Sequence, residues 1–206
     1  MSGHSHDDQS ALRLRVLQNN LATISERLDG ALRLLSAISS LSQAPVRAKG
    51  PAQAADQMLD VLVRALDNIM NCSVMIYDAG SNQLRMLAVR GQAEFFGDTV
   101  FGGSQHLTFR PGEGIAGRVY SEQQPVFWSE KTVPQSPLKV FADSDIPAAI
   151  ACLPLQVREG CLGVLNLSFS DPMDFTFNEQ RNLVLLSQVV ANAIHNLILL
   201  DQPAAS

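Results

Sequence analysis

From Asn182 to Leu200 the chain runs nineteen residues, NLVLLSQVVANAIHNLILL, without one Asp, Glu, Lys or Arg. A helix of this length and character has two homes. One is a bilayer, which asks for about 20 apolar residues; the other is a protein interior that covers it on more than one side. Asn182, Ser187, Gln188, Asn192, His195 and Asn196 interrupt the stretch, and burying amides in lipid is expensive without partners. Leu183, Leu186, Val190, Ala193, Leu197 and Leu200 repeat at spacings of three and four, the period of a helix–helix seam. The expectation is a helix packed between its own sheet and a second subunit, with no membrane involved. Thr176 and Glu179 have the capping-box spacing that opens such a helix.

The same economy of charge marks the whole chain. Only 17% of its 206 residues are Asp, Glu, Lys or Arg, against roughly 25% in an ordinary soluble domain. With 46% hydrophobic residues it is not a disordered chain. A net charge of −5 argues against nucleic acid as a direct partner, since that needs a clustered basic face. Cys72, Cys152 and Cys161 are odd in number and lack paired spacing, so no disulfide framework is expected. The first ten residues, MSGHSHDDQS, have neither the basic start nor the apolar core of a signal peptide. They are expected to be a disordered tail, and the location to be cytoplasmic.

A second seam lies at the other end. Residues 11–42 lack proline, and Leu14, Leu17, Leu21, Ile24, Leu28, Ala31, Leu35 and Ile38 hold the three–four alternation for about four heptads. Arg13, Arg15, Asn19, Glu26, Arg27 and Arg33 fall between them. This predicts a coiled-coil-like helix and a homodimer. The seam residues expected at the interface are Leu14, Leu17, Leu21, Ile24, Leu28, Leu35 and Ile38, joined by Leu183, Leu186, Val190 and Leu197 from the last helix.

Between the seams, Gln43–Gly50 breaks the helix and Pro51 suits a first helical turn. Residues 52–70 regain helical spacing. Strands are expected at 72–78, 84–90, 106–109, 125–128, 149–157 and 161–169, the last two joined as a hairpin about Glu159-Gly160. A glycine-rich loop covers 91–105, and 130–147, with three prolines, is a second long loop.

Three stretches then resemble one family. Residues 110–119, RPGEGIAGRV, followed by EQQPVFW at 122–128, are similar to the "G-E-G-I-A-G…G-x-P-V" core of GAF domains. LPLQVREGCLGVLNL (153–167) resembles their "P-L…G-V-L-x-L" hairpin, and DFTFNE (174–179) their "F-T-x-x-D/E" helix entry. The resemblance covers about residues 35–200. It implies an α+β fold, an antiparallel sheet of about six strands flanked by helices, with long N- and C-terminal helices forming a dimer bundle. The domain itself would span 43–200, including a C-terminal helix over 177–200, and leave a tail at 201–206. Gly112, Gly114 and Gly117 fit a tight turn at a helix start, whatever the family.

In such a fold a ligand would lie between one sheet face and the loops after the second and fourth strands. That region offers Phe95, Phe96, Phe101, Phe109, Tyr120, Trp128 and Phe141 in a chain only 6% aromatic. The wall suits a small planar ligand oriented by a few polar groups, for which Arg90, His106, Ser129, Asp143 and Asp145 are candidates. The alternative is that these aromatics are ordinary core. The Asn-Lys…Asp-Glu signature of cyclic-nucleotide-binding members is missing after the hairpin, where Ser170-Asp171 stands. Residues 141–147 are similar to a phytochrome stretch, without the chromophore-attaching Cys-His pair. A haem sensor needs an axial ligand, and His106 and His195 are the histidines within the domain. No spaced metal-ligand cluster is present, and no cofactor is assigned.

Some relatives in fold reduce free methionine sulfoxide with cysteines around the glycine-rich turn; this chain has Ile115 there and no cysteine. With the turn at Glu159-Gly160, Cys152 and Cys161 would lie about 20 Å apart at roughly 3.3 Å per residue. Catalysis is not expected. The functional expectation is the sensory input part of a bacterial signalling protein, such as a histidine kinase, a diguanylate cyclase or a sigma-54-type activator. The ligand would act through a dimeric helix bundle on an output module. The alternative is a ligand-free dimerisation or protein-interaction module.

Overall fold

The structure, a computed structural model, describes residues 4–91, 107–133 and 147–201. Its contacts divide the chain into two units, Met1–Ser36 and Ala37–Ser206. The first unit is most of helix α1 (His4–Gln43), which begins seven residues before the expected start at residue 11. Leu17, Leu21, Ile24, Leu28 and Leu35 are all exposed, between 57% and 66%. Leu14 belongs to the same helix, but its side chain lies outside the described residues.

The second unit starts with the last turns of α1, where Ala37 and Leu41 are buried and Ile38 is half-buried. A 3-10 turn (Ala44–Arg47) leads to α2 (Pro51–Ala65), with Pro51 in the first helical position. Its apolar face, Ala54, Ala55, Met58, Leu59 and Leu62, is buried. The helix was expected to reach residue 70; it stops at Ala65, where the cap residue Leu66 is already extended, and the chain then turns through Asn68, at a left-handed φ of 60°, into the strand that Ile69 opens. Asparagine tolerates that conformation better than most residues.

Strands β1 (Ile69–Asp78), β2 (Gln83–Gly91), β3 (Thr108–Phe109), β4 (Val126–Ser129), β5 (Ala149–Val157) and β6 (Gly160–Phe169) form one sheet, every neighbouring pair antiparallel. The order is β3-β2-β1-β6-β5-β4. The six expected strands are all present. The hairpin pairs Val157 with Gly160, so its turn residues are Arg158-Glu159 and not Glu159-Gly160. Helix α3 (Gly114–Glu122) follows the glycine-rich turn, and α4 (Phe177–Asp201) ends the described chain.

Side chains of directly paired residues share a sheet face, and alternate residues share it along each strand. On one face lies the row Phe127, Ala151, Leu167, Cys72, Arg90, and beside it Leu153, Leu165, Val74, Ala88. Helix α2 packs on β2 and β1, α4 packs on β5, and the two helices touch each other, so both cover this side. The other face carries Trp128, Ile150, Ser168, Asn71 in one row and Val126, Cys152, Asn166, Ser73, Val89 in the next. Beyond these come Pro154, Val164, Met75, Met86, and then Tyr77 and Leu84. Helix α3 closes the far half of this face: Ala116 and Val119 cluster with Met75, Leu84, Cys152 and Val164.

Leu183, Leu186 and Val190 correct the expected dimer seam. They are buried at 4%, 1% and 0% in the chain's own domain, with Ala191 and Ile194. Each such side chain gains about 1.5–3 kcal/mol from burial, and the sheet takes that gain within one chain. Leu197 is half-buried. The exposed apolar side chains of α4 are instead Phe177, Val184, Leu185, Leu199 and Leu200. By length and composition alone α4 also qualifies as a helix able to cross a membrane.

Candidate functional site

Two local sequence devices aim the α3 side of the sheet. Around Arg110-Pro-Gly-Glu-Gly, the Arg110 amide donates to Glu113 Oε2 at 2.8 Å and the Gly112 amide to the Gly117 carbonyl at 2.8 Å. Gly117 is required by space: a Cβ there would overlap the Arg110 carbonyl. The turn thereby sets the angle at which α3 meets the sheet. Within β6, Gly163 lies against β1, where a Cβ would overlap the Met75 carbonyl. Between the pairs Gln156–Cys161 and Pro154–Val164, two residues of β6, Leu162 and Gly163, oppose one of β5, Leu155. That is a bulge, which re-aims neighbouring side chains.

Under α3 the face is apolar and tightly filled. Tyr120 stacks on Tyr77 with ring centroids 4.7 Å apart and an interplanar angle of 22°. Burial raises the Tyr120 pKa above its ordinary value, with the Tyr77 and Cys161 groups adding to the rise. Phe109 packs against the same cluster, in contact range of Gly114. Two of the expected aromatics are therefore core beneath α3.

The near half of the face is different. Asn71 is 3% exposed and Ser73 7%, and Asn166 Nδ2 donates to Ser73 Oγ at 3.2 Å. Ser168 completes four uncharged polar side chains on β1 and β6. Neither Oδ1 nor Nδ2 of Asn71 has a hydrogen-bond partner among the described residues. An orphaned buried amide costs about 1–3 kcal/mol, so this one stands out. Trp128, 7% exposed, lies in the same row, three strands from Asn71 beyond Ser168 and Ile150. Of the expected ligand residues, it is the one the described structure brings to this polar patch. The sequence signal for the patch was available: Asn71 and Ser73, like Asn166 and Ser168, are polar at two-residue spacing inside apolar strands.

Arg90 lies on the other face. Its register partner is Cys72, which puts it on the face covered by α2. There Nε donates to Asp60 Oδ1 and Nη1 to Asp56 Oδ1, both at 2.7 Å. The Asp56 carboxylate, then that of Asp60, holds the guanidinium pKa above its ordinary value. Arg90 clamps α2 to the sheet and does not face the patch. Ser129 is buried on the row opposite Trp128's face, its Oγ accepting the Lys131 amide at 3.4 Å. His195 sits on α4 with Nε2 3.6 Å from Glu159 Oε2, on the helix-covered side. Phe95, Phe96, Phe101, His106, Phe141, Asp143 and Asp145 lie outside the described residues.

Cys152 pairs with Asn166 and Cys161 with Gln156. They are four strand positions apart, about 13 Å at 3.3 Å per residue, rather than the expected 20 Å. That is still beyond the reach of a disulfide. Burial pushes the Cys72 thiol up to about 12 and raises Cys152 and Cys161 as well, the opposite of an activated nucleophile. Among the described residues no group of three or more His, Cys, Asp or Glu could hold a metal ion. An open surface groove of about 460 Å³ between the end of α1 and α2 is lined by Ser40, Gln43, Ala44, Gln57, Asp60, Val61 and Arg64. Its one carboxylate, Asp60, is already engaged by Arg90.

Comparison with known proteins follows the same lines. A family model described as GAF domain matches residues 48–195. Among solved structures, the chain is similar to the GAF domain from Acinetobacter phosphoenolpyruvate-protein phosphotransferase: 17% identity, 83% of this chain and 97% of that chain covered, TM-score 0.64. The corresponding domain from Coxiella burnetii gives 20% identity, coverage of 81% and 95%, and a TM-score of 0.64. Free methionine-R-sulfoxide reductase from Neisseria meningitidis gives 14%, 84% and 93%, and 0.63. At these identities the likeness is one of fold. No curated protein matches the chain.

Proposed function

Because the chain belongs to the GAF family, whose members are characteristically non-catalytic small-molecule-binding modules, we propose that it is the input domain of a cytoplasmic bacterial signalling protein. A small molecule binds on the sheet face away from α2 and α4. The observation that carries this is Asn71, a buried amide with both polar atoms unpartnered, in a patch of uncharged polar side chains whose row ends at Trp128. Folding alone gives no return for such a group, whereas a bound molecule would satisfy it.

The output runs through a homodimer. In support, α1 exposes Leu17, Leu21, Ile24, Leu28 and Leu35 at heptad spacing, and stripes of this kind are covered in a coiled coil. On α4 the contributing residues become Val184, Leu185 and Leu199, with the exposed Asn192 and Asn196 between them. A ligand biases this bundle only through different affinity for two of its arrangements. Arg90, at the end of β2 and clamped to α2, links the sheet to the helical side.

Native mass spectrometry of the purified protein, set against a denatured sample, tests the sensory reading. A small mass retained only by the native protein supports it. A native chain with no retained mass, unchanged by incubation with a bacterial metabolite extract, would overturn it in favour of a ligand-free interaction module.

A further inference from the structure

We propose that the molecule held on the uncharged patch is a neutral planar heterocycle, read through a lactam edge (one ring N–H beside one C=O) by the carboxamide of Asn71. This rests on the sensory reading above and deepens it to a ligand class.

Three observations carry it. Asn71 presents one acceptor and one donor side by side, both buried and both unpartnered among the described residues. A lone carbonyl, which only accepts, would leave Oδ1 orphaned. A cis-amide edge pairs with both, because its N–H and C=O have the complementary order and spacing. Second, the two rows of the patch contain only amides, hydroxyls and apolar groups: Asn71, Ser73, Asn166 and Ser168 with Ile150 and Trp128. The nearest strand guanidinium, Arg90, points to the other face and is spent on two aspartates. An ionised ligand edge buried here would meet no counter-charge from these rows, which is costly. Third, the amide is held in place. It lies against Gly91, where even a Cβ would overlap Asn71 Oδ1 and the Met70 carbonyl. Trp128 closes the β4 end of the same row with a flat apolar side chain.

Trp128 is the only tryptophan in the chain, so its emission reports on the patch without a label. The full chain is titrated at pH 6.5 with lumazine (pteridine-2,4-dione) and with 1,3-dimethyllumazine, which keeps the ring and both carbonyls but has no N–H. The expected result is saturable quenching by lumazine and binding at least tenfold weaker for the dimethyl compound. Asn71→Leu is expected to weaken lumazine at least tenfold, while raising the Tm of the ligand-free protein because an orphaned amide is removed. Absence of saturable quenching by lumazine, or equal binding of the two compounds, overturns the proposal; that comparison uses the unaltered chain and needs no variant to fold. Undiminished binding to Asn71→Leu also overturns it. A small mass retained equally by the native wild type and by Asn71→Leu would sink the lactam inference while leaving the sensory reading intact. Loss of that reading shows separately, as an empty wild-type protein.

Discussion

Arg90 shows how much hangs on one register. Its guanidinium, about a third exposed, makes two 2.7 Å charge-assisted contacts to Asp56 and Asp60 of α2. Charged hydrogen bonds of this geometry are the stronger kind, but partial exposure screens them. Arg90→Ala is expected to lower stability by about 1–2 kcal/mol in urea unfolding, without altering lumazine quenching of Trp128, since Arg90 lies on the other face. Cys72 gives a pH signature. Its thiol is raised from 9.0 to about 12, chiefly by burial, so the fold favours the neutral form. Stability from this group is fully present below about pH 9 and is lost as pH rises toward 12. The slope is about 1.4 kcal/mol per pH unit for each such proton. Urea midpoints measured from pH 8 to pH 11 should fall less steeply in Cys72→Ala than in the wild type.

At the level of elements, the sequence was most informative where structure is local. The Thr176–Glu179 pair forms the expected box: the Thr176 amide donates to Glu179 Oε2 at 2.7 Å and the Glu179 amide to Thr176 Oγ1 at 3.4 Å. Thr176→Ala should cost about 1 kcal/mol, read by chemical denaturation, with the helix content of the folded protein unchanged. The glycine turn before α3 and the six strands were legible for the same reason. The misjudged boundary lies at the end of α2, where Leu66 is already extended and a left-handed Asn68 turns the chain into Ile69. Periodicity failed on α4 in a more instructive way. Leu183, Leu186 and Val190 do line one stripe, yet a stripe at three–four spacing is equally suited to a sheet and to another helix.

For the molecule as a whole, the exposed α1 seam is the feature that a single chain leaves unfinished. Leu21→Asp with Leu28→Asp would place charges at two seam positions that are 66% and 58% exposed. The expected outcome is sedimentation as a 22.3 kDa monomer, with the unfolding transition of the Ala37–Ser206 unit preserved. A wild type that already sediments as a monomer at micromolar concentration would remove the dimeric relay. The candidate site belongs to this scale too. Asn71 on β1 and Ser168 on β6 are almost a hundred residues apart in sequence, and Trp128 joins them only through β5. The polar two-residue spacings were visible in each strand, but nothing local said that these four residues share one face.

The sequence by itself determined the local devices: the capping box, the glycine turn, the strand segments, the break at Pro51 and the uncharged character of α4. Each depends on residues within a few positions of one another, where propensity and sterics act directly. The tertiary structure alone decided which side each residue faces. Pairing register and bulges set that, and a shift of one position sends every side chain of a strand to the opposite face. So Arg90 went to the face that α2 covers, Leu183 and Leu186 of α4 went to their own domain, and an asparagine in β1 became the buried group without a hydrogen-bond partner among the described residues.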